Sequence, residues 1–135
     1  MKRPTGAAAV LGHPEQNGLY RLPEGAAPPG AILLAGRRLT SKRAMLEAVA
    51  AALSFPDYFG FNWDALEECL QDLSWQEGGV ALLIDEAAMP EDRAPEDWAV
   101  LLAILADTAR YWQAEGRPFA VFLQGGHAAY PLLAG

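Results

Sequence analysis

Residues 55–75 read FPDYFGFNWDALEECLQDLSW. Pro56 closes whatever helix precedes it, because proline disfavours helical backbone in the residue before it. An aromatic-glycine turn follows, and Asn62 then opens a new helix, its side-chain oxygen placed to accept a free N–H of the first turn. Asp64 falls in that first turn, where the helix dipole favours a negative charge. Asp64 and Glu68 are four residues apart, so both carboxylates emerge on one face, with Glu67 and Asp72 close beside them. On the opposite stripe, Ala65, Leu66, Cys69, Leu70 and Leu73 recur at the spacing of a helix packed on one side against a core. A ridge of negative charge on a rigid element suits a cationic pocket better than it suits catalysis.

Working outward, residues 31–34 form a short apolar run that predicts a buried strand. Thr40 or Ser41 then caps a helix that turns Met45, Leu46, Val49 and Leu53 inward and stops at Pro56. Beyond the acidic helix, Gly78-Gly79 breaks the chain before the uninterrupted apolar run 80–84, a strand covered on both faces. Residues 85–94 read as a polar loop. Pro95 suits a first helical turn, and Trp98, Leu101, Leu102, Leu105, Ala109 and Trp112 make the buried stripe of the helix that follows. Gly116 and Pro118 stop it before a last strand at 119–123. Trp63 and Trp75 can belong either to the core or to an interface. The order strand, helix, helix, strand, helix, strand predicts an α/β fold: a small, three-stranded, largely parallel sheet with three main helices packed on it. Residues 1–30, rich in Gly, Pro and Ala, read as an N-terminal extension in which 19–22 is the candidate short strand. Residues 125–135 read as a C-terminal tail.

With 135 residues, 52% of them hydrophobic and 20% charged, the chain has enough apolar material for one core without disulfides or metal. Its single cysteine, on the apolar side of the acidic helix, reads as a small buried hydrophobe in a reducing compartment, and a cytoplasmic location is expected. No apolar run approaches the roughly 20 residues of a membrane span, and no secretory signal is legible. The net charge of −7 conceals an asymmetry. Residues 1–56 hold seven Lys/Arg against three Asp/Glu, whereas residues 57–97 hold one against twelve. Such an acidic block repels nucleic-acid phosphates and attracts a basic protein, so the expected partner is a protein and not RNA or DNA.

Other chemistries lack their residues. His13 and His127 have no motif partner, no nucleophile elbow occurs, and neither paired Cys or His nor a calcium loop is present. Gly78-Gly79 and Gly125-Gly126 lack the lysine of a phosphate loop. No cofactor is expected. An acidic pair at this spacing is most often merely a solvated helix face, and general acid–base work would need one carboxyl in an apolar pocket.

The pattern around the pair lifts it above that reading. From Pro56 through Leu70, PDYFG-N-DAL-EC-L resembles the barstar family, intracellular protein inhibitors of an extracellular guanyl-preferring ribonuclease. The strand and helix at 31–55, the strand at 80–84, the AEG turn at 114–116 and the final apolar strand also arrive in that family's order. The likeness covers about residues 31–124.

The resemblance implies that Tyr58, Gly60, Asn62, Asp64 and Glu68 form the inhibitory loop and helix. In that scheme Glu68 takes the place of the aspartate that enters the ribonuclease's phosphate-binding site, Asp64 is a second acidic contact and Tyr58 an aromatic one. Glu115 matches an acidic residue at the end of the last helix. Departures accompany the match: Glu67 replaces an interface tryptophan, Phe61 an acidic residue and Tyr111 another acidic interface residue, while Phe59 lacks a phenolic hydroxyl. Glu68 is also one methylene longer than aspartate. A ribonuclease inhibitor, monomeric when free, is the leading expectation. A module of the same fold with a non-nuclease partner is the alternative, and an enzyme a distant third.

Overall fold

A computed structural model describes residues 4–134. The strands are β1 (Gly18–Arg21), β2 (Ile32–Ala35), β3 (Val80–Asp85) and β4 (Phe119–Leu123), and the helices α1 (Lys42–Ala52), α2 (Trp63–Asp72), α3 (Ala88–Arg93) and α4 (Pro95–Glu115). The strands form one parallel sheet in the order β1-β4-β3-β2. The parallel α/β expectation holds, but the sheet has four strands instead of three. The added strand is β1, one residue offset from the candidate at 19–22. Its four residues are too short a pattern to distinguish a paired strand from a loop by sequence.

Residues 85–94 also differ from the expected loop, because α3 lies within them. Three features hide it. It is only six residues long, no side chain caps it, and Pro90 sits inside it. A proline is tolerated there because the first turn of a helix leaves its N–H groups unpaired anyway.

Alternation along the strands sends side chains to both faces. On one face Leu19, Val121, Leu82 and Leu34 pack with Met45, Leu46 and Val49 of α1, Leu66 and Leu70 of α2, and Leu101 and Leu105 of α4. On the other, Tyr20, Phe122 and Leu83 are covered by Ala7, Val10, Leu22 and Leu133. The apolar runs of β3 and β4 thus call for two covered faces, and the second cover comes from chain ends instead of helices. The tail also lies along β1, where Arg21 N donates to Pro131 O at 2.7 Å and Leu133 N to Arg21 O at 2.8 Å. Asn17 ties the approach to β1 to the end of α4. Its Nδ2 donates to Ala109 O and Arg117 O, and its Oδ1 accepts from Phe119 N.

Helix starts follow the sequence. Ser41 Oγ accepts from Ala44 N at 3.1 Å, which selects Ser41 over Thr40 as the cap of α1. Between β2 and α1, Gly36 passes so close to the end of β3 that a Cβ would lie 2.1 Å from Asp85 O and 2.6 Å from Glu86 O. Those atoms are backbone and cannot swing away. Gly36→Ala is expected to cost about 2–4 kcal/mol, measurable as a shift of the urea midpoint with the slope unchanged.

The turn after β4 is fastened by one carboxylate. Glu91 Oε2 accepts from His127 N at 2.8 Å, and Oε1 lies 2.8 Å from His127 Nδ1. The His127 backbone N–H holds the Glu91 carboxyl below its ordinary value of 4.5, partial burial opposes this, and the His127 ring and Arg21 add to the lowering. A carboxyl with a depressed folded value contributes stability above its unfolded value and loses it as pH falls through the folded one. Glu91→Gln should therefore cost about 1 kcal/mol at pH 7, with the two denaturation curves converging well below pH 4.5. A difference that persists unchanged into acid would show that the carboxylate charge is not what fastens the turn.

Candidate protein-binding site

The loop before α2 is built on aromatic packing. Phe59 is buried, with Phe55 at 5.0 Å in an edge-to-face arrangement and Phe61 at 4.7 Å, and Phe55 meets Trp75 at 5.9 Å. Trp75 Nε1 and Gln76 Nε2 both donate to Leu53 O, which anchors this cluster to the end of α1. In this apolar setting a hydroxyl on residue 59 would have to find its own partner, and phenylalanine avoids that cost. Tyr58, next to it, points away and is 72% exposed.

Glycine is not the residue with left-handed backbone in this turn. That conformation falls on Phe61, φ 51°. Phe61 is held there by Phe59 on one side and by the Arg43 guanidinium, 4.2 Å from its ring centroid, on the other. Lys42 reaches over Trp63 in the same manner at 5.6 Å. Two cations at the start of α1 are unfavourable to its dipole, and stacking on these rings gives them an alternative partner. Gly60 leaves room instead of supplying an unusual angle, since a Cβ there would lie 3.4 Å from Asn62 Nδ2.

Asn62 is exposed, yet its side chain is occupied. Its Oδ1 accepts from Ala65 N at 2.8 Å and its Nδ2 donates to Gly60 O at 3.4 Å, so it joins the loop to the helix. From α2, Leu66, Cys69 and Leu70 are buried while Asp64, Glu67, Glu68 and Asp72 are exposed. The helix ends at Leu73 in left-handed conformation, φ 45°. Arg117 secures that end, donating to Leu73 O at 3.1 Å, Gln76 O at 2.9 Å and Gly78 O at 2.6 Å. A cation there complements the negative end of the dipole. Trp112 Nε1 donates to Leu70 O at 2.8 Å, which sets the last turn of α4 beside the last turn of α2.

Loop and helix enclose a cleft of about 150 Å³ lined by Tyr58, Phe59, Gly60, Ala65, Glu68, Cys69 and Asp72. Of the predicted residues, Tyr58, Gly60 and Glu68 meet there. Asp64 and Glu67 stand on the exposed face of α2 outside the cleft, and Asn62 positions the elements from behind. Tyr111 and Glu115 are exposed on the final turns of α4, near the C-terminal end of α2, and do not line it. Desolvation, followed by the nearby Asp72 carboxylate, pushes the Tyr58 phenol up. Burial, Asp72 and Glu68 raise the Cys69 thiol, leaving it a protonated, unreactive floor.

Asp72 was a neighbour of the acidic pair in the sequence reading and becomes a wall of the cleft. The i,i+4 step from Glu68 is the signal that leads to it. Arg117 carries no comparable signal, because the carbonyls it meets lie 39 to 44 residues earlier.

The structure is thus a parallel α/β sheet that presents carboxylates and one exposed tyrosine around a shallow cleft. A family model described as Barstar (barnase inhibitor) matches residues 31–124, and the chain belongs to the barstar family. That description is of an inhibitor, not of an enzyme. No curated protein matches the chain.

Proposed function

We propose that this protein inhibits a secreted-type, guanyl-preferring ribonuclease by covering its active site with α2 and the loop before it. The observation that carries the reading is the cleft, where the Tyr58 ring and the Glu68 and Asp72 carboxylates surround a space of about 150 Å³. Such a space suits a planar cation, an Arg or His side chain, stacked on the phenol and paired with a carboxylate. Glu68 and Asp64 stand in for RNA phosphates among the enzyme's basic residues, and Tyr58 supplies apolar contact. The acidic block speeds encounter with a basic enzyme, an effect that fades with salt. Tyr111 and Glu115 widen the contact at the end of α4, and Glu67 lies along its margin.

The protein acts in the cytoplasm as a monomer when free, without catalytic activity or cofactor. Residues 31–124 carry the inhibitory surface, and residues 4–30 and 125–134 complete the sheet that supports it. The test is titration of a secreted guanyl-preferring ribonuclease with the purified chain in an RNA-hydrolysis assay. Stoichiometric loss of hydrolysis is expected, and full activity at excess chain would refute the assignment.

One observation favours a second reading, a barstar-fold interaction module with a non-nuclease partner. Phe61, where the family's pattern has an acid, lies under Arg43, so the margin of the site is aromatic and cationic instead of acidic. A partner recovered from lysate that binds through Glu68 but cleaves no RNA would decide for the module.

A further inference from the structure

The two edges of the sheet are finished differently. At β1 the chain seals its own edge with the extended tail, through the parallel bridge between Arg21 and Leu132. At β2 no strand follows among the described residues: β2 pairs with β3 alone there, leaving its outer N–H and C=O groups without a ladder. A row of side chains crosses the sheet from Tyr20 through Phe122 and Leu83 to Leu33. Its first three members are 7%, 0% and 8% exposed, and Leu33, at the open edge, is 55% exposed. Cover by the chain ends stops one strand short.

Beside this edge runs a groove of about 350 Å³ between β2 and α1. Ala48, Ala51 and Ala52 form its helical wall, and their small side chains leave the depth that a partner's side chains need. Arg38 closes one end. Neither it nor the exposed Arg37 forms an ion pair among the described residues, unlike Arg43, which meets Glu47.

We propose that the β2 edge binds an extended acidic segment of a partner protein by strand addition, apart from the surface of α2. Main-chain hydrogen bonds along β2 supply the affinity, apolar side chains on one face of the added strand meet Leu33 and those on the other enter the alanine groove, and a carboxylate beyond them meets Arg38. Charge sets this occupant against a second copy of the chain. Two copies paired through β2 would bring together regions that both carry the cations Arg37, Arg38 and Lys42.

The test is an amide chemical-shift titration of the full chain with an acetylated heptapeptide of five successive valine or threonine residues, apolar on both faces, that ends in two aspartates. Shifts are expected at β2 and along residues 48–52, with the Tyr58 loop unmoved. Leu33→Lys and Arg38→Glu should each weaken binding roughly tenfold, the effect of losing one central contact. Both residues are exposed, so both substitutions should leave the fold intact, and ribonuclease titration should be unchanged in each. Binding of a lysine-ended peptide should be weak to the native chain and recover with Arg38→Glu. No shift at β2, or equal affinity for the two peptides, would overturn the proposal. Sedimentation that shows a Leu33-dependent dimer without peptide binding would overturn it too, and give the edge to a second copy.

Discussion

Glu68→Ala is expected to accelerate dissociation of the inhibited ribonuclease by roughly 10²–10³, with association slowed only about threefold or less. The asymmetry follows from where the charge acts. On the proposed function, encounter would be driven by the whole acidic block, twelve carboxylates between residues 57 and 97, so removing one would leave most of the attraction. In the proposed complex Glu68 sits in the cleft against the cation that fills it, so truncation would leave that cation desolvated and unpaired. The substitution is structurally quiet, since Glu68 is exposed in the middle of α2 and takes no part in the Asn62 cap or the Arg117 clamp. Alanine is also the better helix former. Glu67→Ala, one residue away but outside the cleft, should change dissociation by less than about tenfold. Stopped-flow association and competition-chase dissociation measure both rates. Equal losses for Glu67→Ala and Glu68→Ala would remove the cleft from the mechanism and reduce the site to diffuse charge.

The parts of this molecule legible in its sequence are those written in local chemistry. Asn62 and Gly116 mark helix boundaries because caps and left-handed stops favour few residue types, the cap of α1 narrows to Thr40 or Ser41, and the stripes Met45–Leu46–Val49 and Leu66–Cys69–Leu70 announce their buried faces by period alone. The cleft was half legible. Glu68 and Asp72 follow from spacing on α2, but their meeting with Tyr58 depends on how the loop folds back, and that rests on Phe55, Phe59, Phe61 and Trp75 clustering across 20 residues. Trp75 and Trp63 illustrate the limit. Both could be core or interface by composition, and the structure resolves them through distant partners, Leu53 O and the Lys42 ammonium. Least legible was β1. A four-residue strand whose partner lies about a hundred residues away has no period long enough to read, and its pairing with β4 is a tertiary fact.

That pairing makes truncation to the family-matched segment, residues 31–124, an informative experiment. The family match begins after β1 and ends before the tail, so such a piece would retain all four helices and three strands. It would lose Val10, Tyr20, Leu22 and Leu133 from the second face, which uncovers Phe122 and Leu83 and turns β4 into a bare edge. Exposing two large side chains costs about 1.5–3 kcal/mol each, a large part of the 5–15 kcal/mol that holds a typical domain together. The truncated protein should therefore melt at much lower temperature, bind a hydrophobic dye and associate through the β4 edge. Phe122→Ala in the full chain separates packing from strand loss, since it removes buried side-chain volume and keeps β1 in place; a cost of about 3–5 kcal/mol is expected. A shorter piece that unfolds cooperatively, with the stability of the full chain, would show that the second face needs no cover. The ends of the chain would then be additions to a self-sufficient domain. If the piece instead collapses while Phe122→Ala remains folded and inhibitory, residues 4–22 and 131–134 are structural members of the sheet that holds α2 in position.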